Sequence, residues 1–277
     1  MGRFAALAAL AWFAHTAPAE IRVAAVAVSS DFTAGLPGYG SLGSIFCAGL
    51  QGIEGVRAAN EAPLPYEIAG VSVTIGGVPA PLLAVADFGG WQQINFQVPA
   101  MRDGNRDVAV RQSGASGLLE NPLRAGWGVF FVDAAGYAIA QHADWSLVTP
   151  GNPARPGEIV VAYATNLDSY GYVVSAPAIG HVTAADPLPA LLPSRVGNAL
   201  RIAPFVTVDG TAAEQFYSGL TPGSIGVFQV NFRVQADARS GDAVLQAVRG
   251  ACFPIGGCSS ITYEYSRTAK LPVRRIE

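Results

Sequence analysis

Lysine is almost absent from this chain. Lys270 is the only one among 17 basic residues, which stand against 20 acidic ones for a net charge of −3. Charged residues of every kind make up 13 %, about half the usual share of a soluble domain. A cationic nucleic-acid-binding surface is therefore excluded, as are a coiled coil and a solvated disordered tail. Histidine is scarce too: beyond His15 there are only His142 and His181, and His181 has no partner nearby in sequence. His142 stands in Gln141-His-Ala-Asp-Trp145, where it reads as a solvated turn residue, and His181 in an irregular stretch. There is no G-x-S-x-G elbow, no H-E-x-x-H and no C-x-x-C, so neither a nucleophilic triad nor a zinc site is indicated. These shortages argue against an enzyme and against a cofactor. A glycosidase would still need only two acids converging in one cleft, and no spacing supports such a pair. Helical patterning is also missing, since no stretch carries a sustained 3.6-residue apolar stripe with a cap and a stop.

What is abundant is apolar residues, at 51 %, with 32 Gly and 19 Pro to turn the chain. The first of the apolar runs is an export signal. Arg3 precedes the unbroken stretch Phe4 to Ala14, and Ala17-Pro18-Ala19 supplies small-x-small cleavage chemistry before Glu20. Residues 1–19 are read as a signal peptide, and the rest has no run of membrane-spanning length. The expected location is outside the cytoplasm: periplasm, cell surface or medium.

Beyond residue 20 the pattern has period two. Val71, Val73 and Ile75 alternate with Ser72 and Thr74 and end at Gly76-Gly77. Gln93-Ile-Asn-Phe-Gln-Val98 alternates as strictly and stops at Pro99, and Gln229-Val-Asn-Phe-Arg-Val234 repeats it. Further strands are expected over Ser44–Leu50, Val108–Gln112, Val129–Val132, Ile159–Ala164, Phe205–Val208 and Ala243–Val248. Three blocks recur in order. Gly40–Leu50 aligns with Gly157–Leu167, Val73–Gly77 with Val206–Gly210, and Gln93–Val98 with Gln229–Val234, at offsets of 117, 133 and 136. The reading is an all-β chain of two tandem antiparallel β-sandwiches made by duplication. The first is expected over 20–125 and the second over 126–277, with the junction near Asn121–Gly128. The growing offset places a long loop insert at 168–204. Ile94, Phe96 and Val98 should face one core, and Val230, Phe232 and Val234 the other.

The blocks Gly40–Leu50, Val71–Ala80, Gln93–Pro99, Asn152–Leu167 and Tyr217–Val234 resemble the Solibacter-type uncharacterised C-terminal domain, over roughly residues 25–250. That family is abundant in secreted proteins of Acidobacteria. The resemblance implies export and immunoglobulin-like sandwich modules, but no activity. The chain departs from the family pattern at Cys47, where the family has glycine, and in a cysteine-bearing segment near the end.

Two motif matches carry little. Gly38-Tyr-Gly40-Ser-Leu-Gly43 fits G-x-G-x-x-G, but a strand follows it where a nucleotide site needs a helix. Asp103, Asn105 and Asp107 match the opening of a calcium loop, but Val108 and Gly114 occupy its glycine and glutamate positions. They make a weak calcium candidate, and a hairpin turn explains the same residues. Cys252 and Cys258 flank a turn of five residues, Phe-Pro-Ile-Gly-Gly, and are expected to form a disulfide pinning the hairpin between Val248 and Tyr263. Cys47 with either of them is the competing pairing. Loop aromatics Trp91, Trp145, Tyr170 and Tyr172 are the candidate contacts for a glycan or protein partner, unless they cap their own cores. The leading reading is an exported, non-enzymatic binding or adhesion module. The alternative is a strand-exchanging structural subunit that self-associates, with Ile21, Val23, Ala25 and Ala27 at its edge. A carboxylate-based glycoside hydrolase ranks last.

Overall fold

A computed structural model describes residues 20–101, 104–167, 173–196, 199–252 and 261–274. The described chain holds strands, turns and loops, and no helix in it is long and apolar enough to cross a membrane. The signal-peptide reading of 1–19, together with Asp103, Tyr170, Tyr172 and Cys258, lies outside the described residues.

Among the described residues, ten strands belong to the first half. In chain order they are β1 (Arg22–Val28), β2 (Leu42–Ala48), β3 (Val56–Ala58), β4 (Glu67–Ile68), β5 (Val71–Ile75), β6 (Val78–Ala80), β7 (Leu82–Asp87), β8 (Gln92–Gln97), β9 (Val108–Gln112) and β10 (Ala115–Leu119). One sheet runs β1-β2-β8-β7-β3 and the other β10-β9-β5-β4, with β6 beside β5. The alternation read from the sequence packs these sheets face to face. Val71, Val73, Ile75, Ile94, Phe96, Val98, Val108 and Val110 are all buried in one core, while Ser72, Thr74 and Asn95 stay partly exposed on the opposite faces.

The second half follows the same plan with eleven strands. These are β11 (Val129–Phe130), β12 (Ala140–Gln141), β13 (Ile159–Thr165), β14 (Ser194–Val196), β15 (Ala199–Val208), β16 (Thr211–Ala212), β17 (Glu214–Leu220), β18 (Phe228–Arg233), β19 (Gly241–Cys252), β20 (Ile261–Tyr265) and β21 (Ala269–Val273). The sheets run β11-β13-β18-β17, with β12 beside β13, and β14-β15-β19-β20, with β16 beside β15 and β21 beside β19. Phe130, Phe228, Val230, Phe232 and Val234 anchor a separate core. The fold is thus all-β, two tandem immunoglobulin-like antiparallel sandwiches.

The duplication reaches single hydrogen bonds. Gly40 N–H donates to Val98 O at 2.9 Å, and Gly157 N–H to Val234 O at 2.9 Å. Val98 N–H donates to Ser41 O at 2.9 Å, and Val234 N–H to Glu158 O at 2.8 Å. Gln93 Nε2 donates to Asn95 Oδ1 at 2.5 Å, and Gln229 Nε2 to Asn231 Oδ1 at 3.1 Å. The hairpin β5–β6 turns through Gly76 and Gly77, and β15–β16 through Asp209 and Gly210, all four at positive φ.

Two expectations change. The segment 168–204 is not a loop to its end, because β14 and the start of β15 fall within it. Its Val173 and Leu191 are buried in the second core, so it serves as a strap. The first strand does not present a free edge either. β1 pairs with β2, and its other side is held by Val28 N–H to Thr33 O and Gly35 N–H to Val26 O, at 2.9 and 2.8 Å.

The junction is tied from several sides. Leu36 N–H donates to Leu123 O and Ala125 N–H to Leu36 O, which clips the linker to the first sandwich. Asn166, itself buried at φ 55°, accepts from Gly38 N–H at 2.8 Å and donates to Gly126 O at 2.7 Å. Thr165 Oγ1 accepts from Leu42 N–H at 2.9 Å. Strap residue Gly180 donates to Gln97 Oε1 at 2.7 Å and accepts from Leu64 N–H at 2.8 Å. A buried polar group needs its partner, so these bonds fix the angle between the sandwiches.

Candidate binding site

Of the candidate aromatics, Trp91 is the one that stands in company. It follows the turn Gly89-Gly90 at the tip of the β7–β8 hairpin, where Gly89 adopts φ 78° and so needs to be glycine. Phe88 N–H donates to Trp91 O across the tip at 3.1 Å. Asp87 locks the turn, accepting from Gly89 N–H at 2.7 Å and from Gln92 Nε2 at 2.8 Å. The Gly89 bond, then the Gln92 bond, holds the Asp87 carboxyl below its ordinary range, so it stays ionised in mild acid.

The locked hairpin sets Phe88 and Trp91 with ring centroids 4.5 Å apart. Trp91 lies 5.4 Å from Phe46 of β2, and Phe46 lies 5.6 Å from Phe32 in the β1–β2 connection. Four rings thus form one continuous ridge along the solvent side of the β1-β2-β8-β7-β3 sheet. Three of them keep much of their area in water: Trp91 is 44 %, Phe88 53 % and Phe32 55 % exposed.

The face beside the ridge is polar but uncharged. Phe46 is directly opposite Gln93, and the next pair on that side is Ser44 with Asn95. Gln93 Nε2 reaches Ser44 Oγ at 3.2 Å, Ser44 reaches Asn95 Oδ1 at 2.9 Å, and the Ser29 and Ser44 hydroxyls meet at 3.0 Å. Aromatic rings therefore adjoin a ladder of amides and hydroxyls in which Ser44 and Gln93 are buried and Ser29 and Asn95 are partly exposed. The sequence marks Trp91, but it carries no signal for Phe32 and Phe46, which the sheet register brings alongside.

The other candidates separate. Trp145 is 70 % exposed at the tip of the hairpin that follows β12, with φ 68°. His142 sits under that hairpin, its Nδ1 2.5 Å from Glu158 Oε1 and its Nε2 3.1 Å from Asn152 O. Burial lowers the imidazole pKa, but the Glu158 and Asn152 bonds outweigh it and leave the value raised. This pair fastens a loop. At the calcium candidate, Asn105 Oδ1 accepts from Asp107 N–H and Asp107 Oδ1 from Asn121 N–H, both at 2.8 Å, as turn-capping side chains do. Among the described residues, no group of three metal-ligating side chains is present. Cys252 ends β19 fully buried and is paired in register with Ile261 of β20, so β19 and β20 do form the expected hairpin. Cys47 is a free, buried thiol, which removes the pairings through it; desolvation pushes it up to about 11.

A cleft of about 960 Å³ opens between the sandwiches, and neither Trp91 nor Trp145 lines it. Among the described residues that line it, Glu264 is the one carboxylate.

No family model matches the chain, and no curated protein matches it. Among solved structures, the chain is similar to SGBP-B from a complex xyloglucan utilization locus in Bacteroides uniformis, at 13 % identity and TM-score 0.21 over 91 % of this chain and 48 % of that one. It is similar to the I9-I11 tandem from titin at 10 % identity and TM-score 0.22, over 92 % of this chain and 66 % of that one. It is also similar to the tandem Ig repeats of Dlar at 14 % identity and TM-score 0.18, over 86 % and 91 %. The chain thus spans about half the length of the first of these.

Proposed function

We propose that the chain is an exported, non-enzymatic binding module whose first sandwich presents the Phe32–Phe46–Trp91–Phe88 ridge to a neutral glycan. The single observation behind this reading is four contiguous rings, three of them substantially exposed, beside an uncharged amide and hydroxyl ladder. A sugar offers C–H faces to aromatic rings and hydroxyls to amides, and it needs no charge from its receptor. Export rests on the leader chemistry of residues 3–19, and membership of the Solibacter-type family on the blocks quoted for it.

A panel of neutral oligosaccharides on an array, followed by calorimetry, tests the reading. A hit should weaken about tenfold or more in Trp91→Ala, with the melting temperature unchanged, because the ring is exposed and carries no core contact. No binding to any member, or binding indifferent to Trp91→Ala and Phe88→Ala, overturns it. Capture of a protein partner through the same rings would replace the glycan.

One observation favours assembly through strands as a second reading. β20 is exposed at every residue and ends its sheet among the described residues, with Ile261, Tyr263 and Tyr265 on one side. Such an edge can pair with another strand. A sedimentation profile that stays monomeric across concentration removes this reading.

A further inference from the structure

The cleft between the sandwiches is as cationic as the ridge is neutral. Arg106 comes from the first sandwich, Arg124 from the linker, and Arg201 and Arg249 from the second sandwich. Four of the chain's sixteen arginines therefore line one cavity, where Glu264 is the one carboxylate among the described lining residues, in a protein whose net charge is −3.

The arrangement follows from strand geometry. β15 and β19 run on past the second core toward the first sandwich. Arg201 is paired with Ala251, and Arg249 lies two residues back along the same strand, so both side chains leave the same face. Arg249 is held in place: its Nε and Nη2 bond Glu264 Oε2 at 2.9 and 2.6 Å, and its guanidinium sits 4.9 Å above the Trp127 ring. Trp127 is fixed in turn by its Nε1 donating to Leu167 O at 2.6 Å. Arg106 is seated across the cleft by its Nε donating to Pro122 O at 2.9 Å. The linker carrying Arg124 is clipped by Leu36 and Asn166. The walls are therefore preformed, and neither sandwich alone provides all of them.

Guanidinium groups gathered on the walls of a preformed concavity draw anions to it. Guanidinium forks match paired oxygens of carboxylates and sulfates, and a cavity of this size takes a molecule rather than a lone ion. We propose that this cleft binds an anionic ligand of oligosaccharide size carrying two or more carboxylate or sulfate groups. The site is distinct from the aromatic ridge, so either reading can fail without the other.

The test is calorimetry on the intact protein at low ionic strength with three probes: trigalacturonate for carboxylates, sucrose octasulfate for sulfates, and cellotriose as the uncharged control. At least one anionic probe should bind, with affinity falling as salt rises, and cellotriose should leave the cleft empty. Arg124→Gln with Arg201→Gln should lower that affinity about tenfold or more, since two charge-assisted bonds are lost. Arg111→Gln, on the outer side of β9, and Trp91→Ala should leave it unchanged. Should the double variant fail to fold, Arg124→Gln alone, on the exposed linker, should still weaken binding severalfold. The proposal is overturned if neither anion binds, if the cleft variants bind as the wild type does, or if Arg111→Gln weakens binding as much as they do.

Discussion

The two sandwiches share one frame and wear it differently. Phe46 of the first has its counterpart in Tyr163 of the second, by the alignment of Gly40–Leu50 with Gly157–Leu167. Phe46 stands in an exposed ridge, whereas the Tyr163 hydroxyl donates to Gln141 Oε1 at 2.5 Å under the hairpin that follows β12. The same outward position belongs to an aromatic ridge in one copy and is a loop anchor in the other. Inside, the difference is one of volume. Gly43 lies opposite Phe96, and a Cβ there would come 2.7 Å from the ring's Cζ; the matching position opposite Phe232 is Val160. The first core gives its Phe ring the space over a glycine, while the second packs it against a branched side chain. Duplicated frames thus retain their backbone bonds and diverge where side chains meet water or one another.

The largest test of that comparison removes the matched rings. Phe96→Ala and Phe232→Ala should each cost about 3–5 kcal/mol, the usual penalty for a buried Phe ring. Cys47 tells the two apart. With its pKa pushed up to about 11, only about one thiol in a thousand is ionised at pH 8, so it should resist alkylation until the first core opens. Phe96→Ala should speed its labelling far more than Phe232→Ala; equal acceleration would mean that the sandwiches unfold as one unit.

The glycine difference should give a smaller, asymmetric result. Gly43→Val forces a side chain against Phe96 and should cost about 1–3 kcal/mol. Val160→Gly should destabilise the second core by opening a void, where a symmetric pair would have tolerated both exchanges. Reduction should cost a similar amount, about 2 kcal/mol, if Cys252 and Cys258 close their short loop. Peptide mapping without reduction should find those two linked and Cys47 alone.

Much of this frame can be read in the residues, because period-two alternation with Gly and Pro stops reports directly on half-buried strands. Phe96 and Phe232 are legible for that reason, as is the repeat that pairs them. The ridge is not legible, since Phe32, Phe46 and Trp91 lie far apart in sequence and only the register of β1, β2 and β8 collects them. The arginine cleft is hidden for a like reason: its four members come from two sandwiches and a linker. The strap reads as loop in the sequence because its Ala, Pro and Gly content masks Val173 and Leu191, which reach the core singly.

The smallest effect belongs to His142, which has no counterpart in the first sandwich. Its pKa is raised in the folded state, so the stability it adds is fully present below the ordinary imidazole value of 6.5 and is lost as pH rises through the folded value. Partial exposure screens the pair to less than about 1 kcal/mol. Melting temperatures across that window should fall slightly with rising pH in the wild type and stay flat in His142→Gln.

The Gln97 side chain has a consequence for the order in which the molecule is completed. Its amide donates to Gly40 O at 2.8 Å within its own sandwich, but its carbonyl oxygen is satisfied by Gly180 N–H, 83 residues downstream. Synthesis delivers the N-terminal half first, so that half emerges with a buried acceptor still awaiting its donor. A nascent first sandwich must keep that end hydrated or loosely closed until the strap arrives, and only then can water leave. The last step of maturation is thereby assigned to the later half, which acts as the latch on the earlier one.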